Sequence, residues 1–286
     1  MIPEPINQFL NSLHQKEIHQ FFPVGGGSIN DAYRYSIGND QFFIKYNEKV
    51  DGIIEKEVDG LNAIANLNCI ATPKVIAFEK IDNYEILVLP YIVSGLKTSK
   101  AWEHFGYQLA EMHKQPASYY GWHQSNFIGS LHQTNEKATD FIDFFIHQRL
   151  KPQIELASKS EYFSSQEISK FEELFLKLKE ILPDTQPSLV HGDLWSGNFM
   201  IGEKDTPYLI DPSIHYNFRE TDIAFTHLFG GFDSRFYDAY NHQFQLAPGF
   251  QNRIALYNIY PLLVHLNLFG TGYYSGVMNS LNQYVR

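Results

Sequence analysis

The 286-residue chain carries 22 Lys+Arg against 32 Asp+Glu, a formal net charge of −10, which argues against a nonspecific nucleic-acid binder because that function needs a basic face. Hydrophobic residues at 44% and charged residues at 19% exclude a disordered chain, and at roughly 150 residues per domain the length suits two lobes. A single cysteine, Cys69, leaves no intramolecular disulfide framework and no CxxC zinc cluster, and the 12 histidines include no HExxH pair.

The opening run MIPEPINQFLNSLHQKE lacks a basic segment followed by an apolar core, so no secretory leader is expected and the chain is read as cytoplasmic. Residues 18–24, 32–37 and 42–46 read as three antiparallel strands joined by glycine turns at Gly25-Gly26-Gly27-Ser28 and Gly38-Asn39-Asp40. Residues 51–68 follow as a helix, with Ile54, Val58, Leu61 and Ala65 on one face. Two more strands are expected at 74–78 and 84–89, separated by a turn at Asp82-Asn83. Beyond Pro90 helical periodicity dominates: Trp102, Phe105, Leu109 and Met112 share a face, as do Ile168, Phe171, Phe175, Leu178 and Ile181. The apolar stretch 254–270, broken by Asn258, Pro261, His265 and Asn267, is too polar and short for a membrane span and reads as a buried helix. The expectation is therefore an α+β, two-lobed chain: an N-lobe of five strands and one helix over residues 1–93, and a mainly helical C-lobe over 94–286.

The exception inside the helical part is 189–212, where short apolar runs flank loops rich in Gly, Asp and Asn. His191-Gly192-Asp193-Leu194-Trp195-Ser196-Gly197-Asn198 has the form HGDxxxxN, and an apolar-flanked Asp211 follows. Phosphoryl transfer requires a carboxylate that deprotonates the attacking hydroxyl and hard oxygen ligands for Mg²⁺. Asp193 suits the first role; Asn198 and Asp211 suit the second. Alone, the two Asp and the Asn would read as turn caps. Upstream, however, the Gly25–Ser28 hairpin would admit ATP phosphates to backbone N–H groups, and Lys45 in an apolar strand precedes Glu57 on the next helix, the chain order of a kinase ion pair. At Leu87-Val88-Leu89-Pro90-Tyr91-Ile92 the Pro90 carbonyl and the Ile92 N–H are placed to meet an adenine edge; an edge strand ended by proline fits the same residues.

HGDLWSGN followed by IDPSIHYNFRETDIAFTHLFGGF resembles the fructosamine kinase (ketosamine 3-kinase) family, within the aminoglycoside phosphotransferase and choline kinase-like superfamily. The resemblance extends through GGGSIN, the ExxGL at 57–61, NFIGSLHQTN at 126–135, FFIHQRL at 144–150 and LYNIYPLLVHLNLFG at 256–270. It implies a protein-kinase-like fold and ATP-dependent phosphorylation of the 3-hydroxyl of a ketoamine, free or protein-bound, with ATP and Mg²⁺ between the lobes. The run HYNFRE stands where such relatives more often carry YYGHRE, and Pro90 where they carry an acidic hinge residue. By the same resemblance Asp222 buttresses the catalytic loop, together with His191, although a solvated helix position fits Asp222 also. Trp195 reads as a ring that stacks on the acceptor or packs in the core, and His265 and Asn267 as acceptor contacts or satisfied buried polar groups. The alternative acceptors are an aminoglycoside, a choline-like alcohol or a homoserine-like compound; a non-catalytic scaffold is disfavoured by the intact polar set. No nucleic-acid or membrane partner is expected, and monomer and homodimer are equally open.

Overall fold

The computed structural model describes residues 2–25, 30–184 and 186–285. The chain opens with α1 (Glu4–His14), β1 (Phe22–Pro23), β2 (Asp31–Ile37), β3 (Asp40–Asn47), α2 (Ile53–Leu67), β4 (Ala77–Ile81) and β5 (Tyr84–Pro90). The five strands form one antiparallel sheet in the order β1-β2-β3-β5-β4. Its pleat separates two apolar layers: Ile44, Tyr46, Ile86 and Val88 pack under α1 with Ile6 and Leu10, while Phe43, Leu87 and Leu89 face α2.

Helix α1 is an addition to the one N-lobe helix expected, with Ile6 and Leu10 at helical spacing and both fully buried. The strand expected at 74–78 is shifted to Ala77–Ile81, because the two-residue turn at Asp82-Asn83 pairs Ile81 with Tyr84 and sets the register from there. The buried stripe of α2 is Ile53, Ile54, Glu57, Gly60, Leu61 and Ile64 rather than one through Val58 and Ala65. An apolar-only reading rotates the face because Glu57 lies inside it.

After the linker at 91–98 come α3 (Ser99–His113), the hairpin β6 (Asn126–Ile128) and β7 (Leu131–Gln133), and a nearly continuous helix made of α4 (Phe141–Phe144), a π-helical turn (Phe145–Leu150) and α5 (Lys151–Lys159). Then follow α6 (Ser165–Ile181), β8 (Pro187–Val190), β9 (Phe199–Ile201), β10 (Pro207–Leu209), β11 (His215–Phe218), α7 (Glu220–Leu228), α8 (Ser234–Gln243), α9 (Ile254–Phe269) and α10 (Tyr274–Leu281). One large apolar core joins these helices. The strand pairs β8–β11 and β9–β10 bracket the loops that carry the polar motif. Among the described residues no helix is long and apolar enough to cross a membrane. Helix α9, apolar on nearly every side, lies within the C-lobe core instead, with Asn258 donating to the Ala224 carbonyl at 2.8 Å.

Candidate active site

Alternation along β3 turns Lys45 away from the α1 side and toward α2, and leaves it 7% exposed. A buried ammonium is costly unless paired, and α2 supplies the partner: Lys45 Nζ donates to both Glu57 carboxylate oxygens, at 2.9 and 3.0 Å. The same ammonium meets Asp211. Burial by itself would lower the lysine pKa, but Asp211 and Glu57 outweigh it and hold the group charged. Burial pushes the Glu57 carboxyl above the ordinary range despite Lys45. Asp211 also suffers desolvation, yet the Lys45 charge and hydrogen bonding to Glu57 and Lys45 keep it low. Its side chain is 44% accessible because it faces the open cleft.

The HGDLWSGN loop runs from the end of β8 to the start of β9. His191 is fully buried, and its ring bonds fix its tautomer: Nδ1 accepts from the Asp193 N–H at 3.2 Å, so Nε2 carries the proton and donates to the Ile210 carbonyl at 2.9 Å. Desolvation lowers its pKa and keeps this form neutral. Asp222, at the first turn of α7, accepts from the His191 and Gly192 N–H groups at 2.7 and 2.9 Å and contacts His113 Nε2 at 3.2 Å. Both resemblance-based support residues thus touch the loop backbone. Gly192 has φ of 81° and lies so close to the Ser213 carbonyl oxygen that a Cβ would sit 2.1 Å from it; only glycine fits.

Asn198 directs its amide nitrogen to the Asp193 carbonyl at 2.9 Å and to Asp193 Oδ2 at 2.7 Å, leaving its amide oxygen as the acceptor available to a cation. Burial raises the Asp193 pKa well above the usual carboxylate value, against the Asn198 hydrogen bond. Asp211 adopts φ of 53°, a left-handed backbone uncommon for a residue with a side chain.

These groups line one cleft of about 970 Å³ between the sheet and the helical part. From the sheet side come Val24, Gly25, Ala32, Lys45 and the segment Leu89–Ile92, including Pro90 and Ile92; from the other side come Asp193, Asn198, Met200 and Asp211. Gly26, Gly27 and Ser28 lie outside the described residues. A third wall is aromatic: Trp195 meets Phe229 at 6.2 Å, and His265 packs on Phe229, Phe269 and Tyr273 at 4.9, 5.5 and 5.0 Å. The Trp195 ring covers Gly197, where a Cβ would come within 2.4 Å of it, which explains the Trp-Ser-Gly order. His265 donates from Nδ1 to the Pro261 carbonyl at 2.7 Å and lines the cleft.

Asn267 corrects the sequence reading: it does not line the cleft, and its amide donates instead to the Gln153 carbonyl and side chain at 3.0 and 2.8 Å, tying α9 to α5. Two residues before it His265, and one after it Leu268, do line the cleft, so the helical phase of α9 decides the matter. Sequence reasoning missed Phe229, Phe269, Tyr273, Asn126 and Phe127 as cleft residues. Four of the five lie in runs quoted for the family resemblance, but nothing in one sequence separates a wall residue from a core residue of the same type.

The fructosamine kinase family model matches residues 1–286. A probable ketoamine kinase of Lactiplantibacillus plantarum is 36% identical over 282 residues, covering 96% of this chain and 98% of that protein. The chloroplastic protein-ribulosamine 3-kinase of Arabidopsis thaliana is 32% identical, covering 100% of this chain and 89% of that protein. The crystal structure of a putative fructosamine-3-kinase from Thermobifida fusca superposes with a TM-score of 0.88 at 28% identity, covering 98% of each chain. With its kinase-like two-lobed fold and a match along its whole length, the chain belongs to the fructosamine kinase family.

Proposed function

We propose that this protein transfers the γ-phosphoryl group of ATP to the 3-hydroxyl of a ketosamine, a sugar–amine adduct that is free or carried on a protein lysine. The observation that carries the reading is the convergence of Lys45–Glu57, Asp193, Asn198 and Asp211 on one cleft, in a chain of this family. Residues 1–93 supply the nucleotide side, through the Gly25–Ser28 run, Lys45 and the Pro90 and Ile92 backbone, and residues 94–286 supply the acceptor side.

Among the described residues no group of three or more His, Cys, Asp or Glu is gathered for a metal. One carboxylate and one amide oxygen, Asp211 and Asn198, suit Mg²⁺, which characteristically takes few protein ligands and completes its shell with phosphates and water. When bound, Mg²⁺ would neutralise charge on the phosphates. Lys45, held by Glu57, orients the nucleotide phosphates. Asp193 accepts the hydroxyl proton as the sugar oxygen bonds to phosphorus and the bond to the β–γ bridging oxygen breaks, releasing ADP. Its raised pKa suits a group that must take up a proton. Trp195, Phe229, His265, Phe269 and Tyr273 form the wall against which the acceptor lies.

The test is a panel: ADP release with Mg²⁺, ATP and ribulose-lysine, erythrulose-lysine, fructose-lysine, kanamycin, choline or homoserine. Turnover is expected on the ketosamines. Turnover confined to an antibiotic, choline or homoserine would overturn the acceptor assignment and leave the phosphoryl-transfer machinery standing.

A further inference from the structure

The runs 126–135 and 144–150 take no step in the chemistry above; Asn126 and Phe127 reach the cleft surface, and behind them the fold joins the two runs. Arg149, in the π-helical turn, is 1% exposed. Its hydrogen-bond acceptors are the Thr134 and Gln148 carbonyls at 2.7 and 2.8 Å and Asn135 Oδ1 at 2.5 Å, none of them a carboxylate. Burying a guanidinium on neutral acceptors is expensive, so the charge calls for an explanation beyond stability.

The explanation lies in what a donor-only group imposes on amides. Arg149 fixes Asn135 with its oxygen inward, so Asn135 Nδ2 must donate outward, and it does so to Asn126 Oδ1 at 2.8 Å. Asn126 Oδ1 also accepts from Gln133 Nε2 at 2.8 Å, which leaves Asn126 Nδ2 to donate to the Ile214 carbonyl at 2.8 Å. Gln133 Nε2 reaches Ser213 Oγ at 2.9 Å while its oxygen accepts from Tyr260, and Ser213 Oγ in turn donates to the Phe127 carbonyl at 2.7 Å. Each amide has one permitted orientation, set from Arg149. The ladder ends on Ser213 and Ile214, two and three residues beyond Asp211, whose backbone is in the left-handed region.

We infer that Arg149, Asn135, Asn126, Gln133 and Ser213 are positioning residues: they clamp the 211–214 turn to the β6–β7 hairpin and thereby hold the Asp211 carboxylate where it binds the metal. The inference rests on the reading of Asp211 and Asn198 as the metal ligands. A strained turn persists only where its surroundings over-determine it, and this clamp supplies three side-chain hydrogen bonds to two adjacent residues.

Two variants separate positioning from plain support. Asn135→Asp gives Arg149 a carboxylate but takes the donor away from Asn126, whose amide must then flip and lose the Ile214 carbonyl. Ser213→Ala removes the last link at small cost in volume. For each, Mn²⁺ uptake by the enzyme–ADP complex is measured by electron paramagnetic resonance, ADP binding in EDTA by calorimetry, and thermal unfolding by circular dichroism. The expected result is an Mn²⁺ half-saturation concentration raised about tenfold, the scale on which outer-shell partners of metal ligands act, with ADP binding in EDTA unchanged. Asn135→Asp is expected to unfold no earlier than the wild type. Wild-type Mn²⁺ uptake in either variant overturns the positioning role, and Ser213→Ala carries the test alone if Asn135→Asp does not fold. Failure of the wild-type enzyme–ADP complex to take up Mn²⁺ would instead overturn the metal-ligand reading, and this inference with it.

Discussion

Replacing Asp193 with asparagine removes a charge and a base while preserving shape, so activity and stability should part company. Asn198 Nδ2 donates to Asp193 Oδ2 at 2.7 Å and to the Asp193 carbonyl at 2.9 Å, and both bonds survive in the variant because an asparagine oxygen can accept the first. Loss of a general base costs about 10²–10⁴-fold in turnover, which at 1.36 kcal/mol per tenfold is roughly 3–5 kcal/mol of transition-state stabilisation. Stability moves the other way. Burial raises the folded-state pKa of Asp193, so the folded protein holds that proton more tightly than the unfolded chain does. The wild type therefore loses stability as pH rises from the unfolded pKa of about 3.9 through the raised folded value, and asparagine is exempt from that loss. Asp193→Asn should therefore unfold at or above the wild-type temperature near neutral pH, with the difference closing in acid. Coupled ADP-release kinetics, calorimetric binding of Mg·ADP and thermal unfolding at several pH values check the three parts. Turnover within about tenfold of wild type, or a clear drop in unfolding temperature at neutral pH, would refute the reasoning.

Lys45→Ala should leave a folded protein with turnover down about 10²-fold; breaking a buried pair costs ~3–5 kcal/mol when the orphaned charge persists, but Glu57, whose carboxyl burial already pushes up, can take a proton and hold the loss toward the low end. Circular dichroism and steady-state kinetics decide it, and global unfolding would assign Lys45 a structural role. Asp222→Ala orphans the buried His191 N–H, at about 1–3 kcal/mol, and the half-buried Gly192 N–H, so urea denaturation should show a lower midpoint with an unchanged slope, and turnover should fall as the loop loosens. The acid limb of kcat/KM should lie above the ordinary carboxylate range, with activity lost as pH falls through the raised Asp193 value. His191 is buried with both ring nitrogens engaged by the Asp193 N–H and the Ile210 carbonyl and takes no proton from the acceptor, so the limb should show the small ionisation enthalpy of a carboxyl group; an imidazole-like enthalpy would contradict the assignment.

What could be read from the sequence is what local pattern encodes. Period-two alternation at 32–37, the strand-like run at 42–46 and the turns at Gly38-Asn39-Asp40 and Asp82-Asn83 correspond to observed strands and hairpins. The spacing of HGDLWSGN to Asp211 identified a loop whose polar groups do meet in the cleft. The misses have physical causes. Helix α1 shows only two buried apolar residues, Ile6 and Leu10, in an otherwise polar segment, and the inward stripe of α2 includes a buried acidic residue that an apolar pattern leaves out. Asn267 and His265 look alike in sequence as polar breaks in an apolar helix, yet two residues on α9 turn the side chain from cleft to core. Network partners such as Arg149, Asn135 and Gln133 are invisible to spacing, since the ladder crosses three segments brought together only by the fold.

The proposed activity places the phosphate on the 3-hydroxyl of the ketose. Incubation of the wild-type protein with ATP, Mg²⁺ and ribulose-lysine, followed by ³¹P–¹H correlation NMR of the product, tests it directly. The expected result is phosphorus coupled to the proton on C3 of the ketose, in amount equal to the ADP formed, with Asp193→Asn forming that product about 10²–10⁴-fold more slowly. Phosphate on another hydroxyl, or ADP formed with no phosphorylated ketosamine, would contradict it.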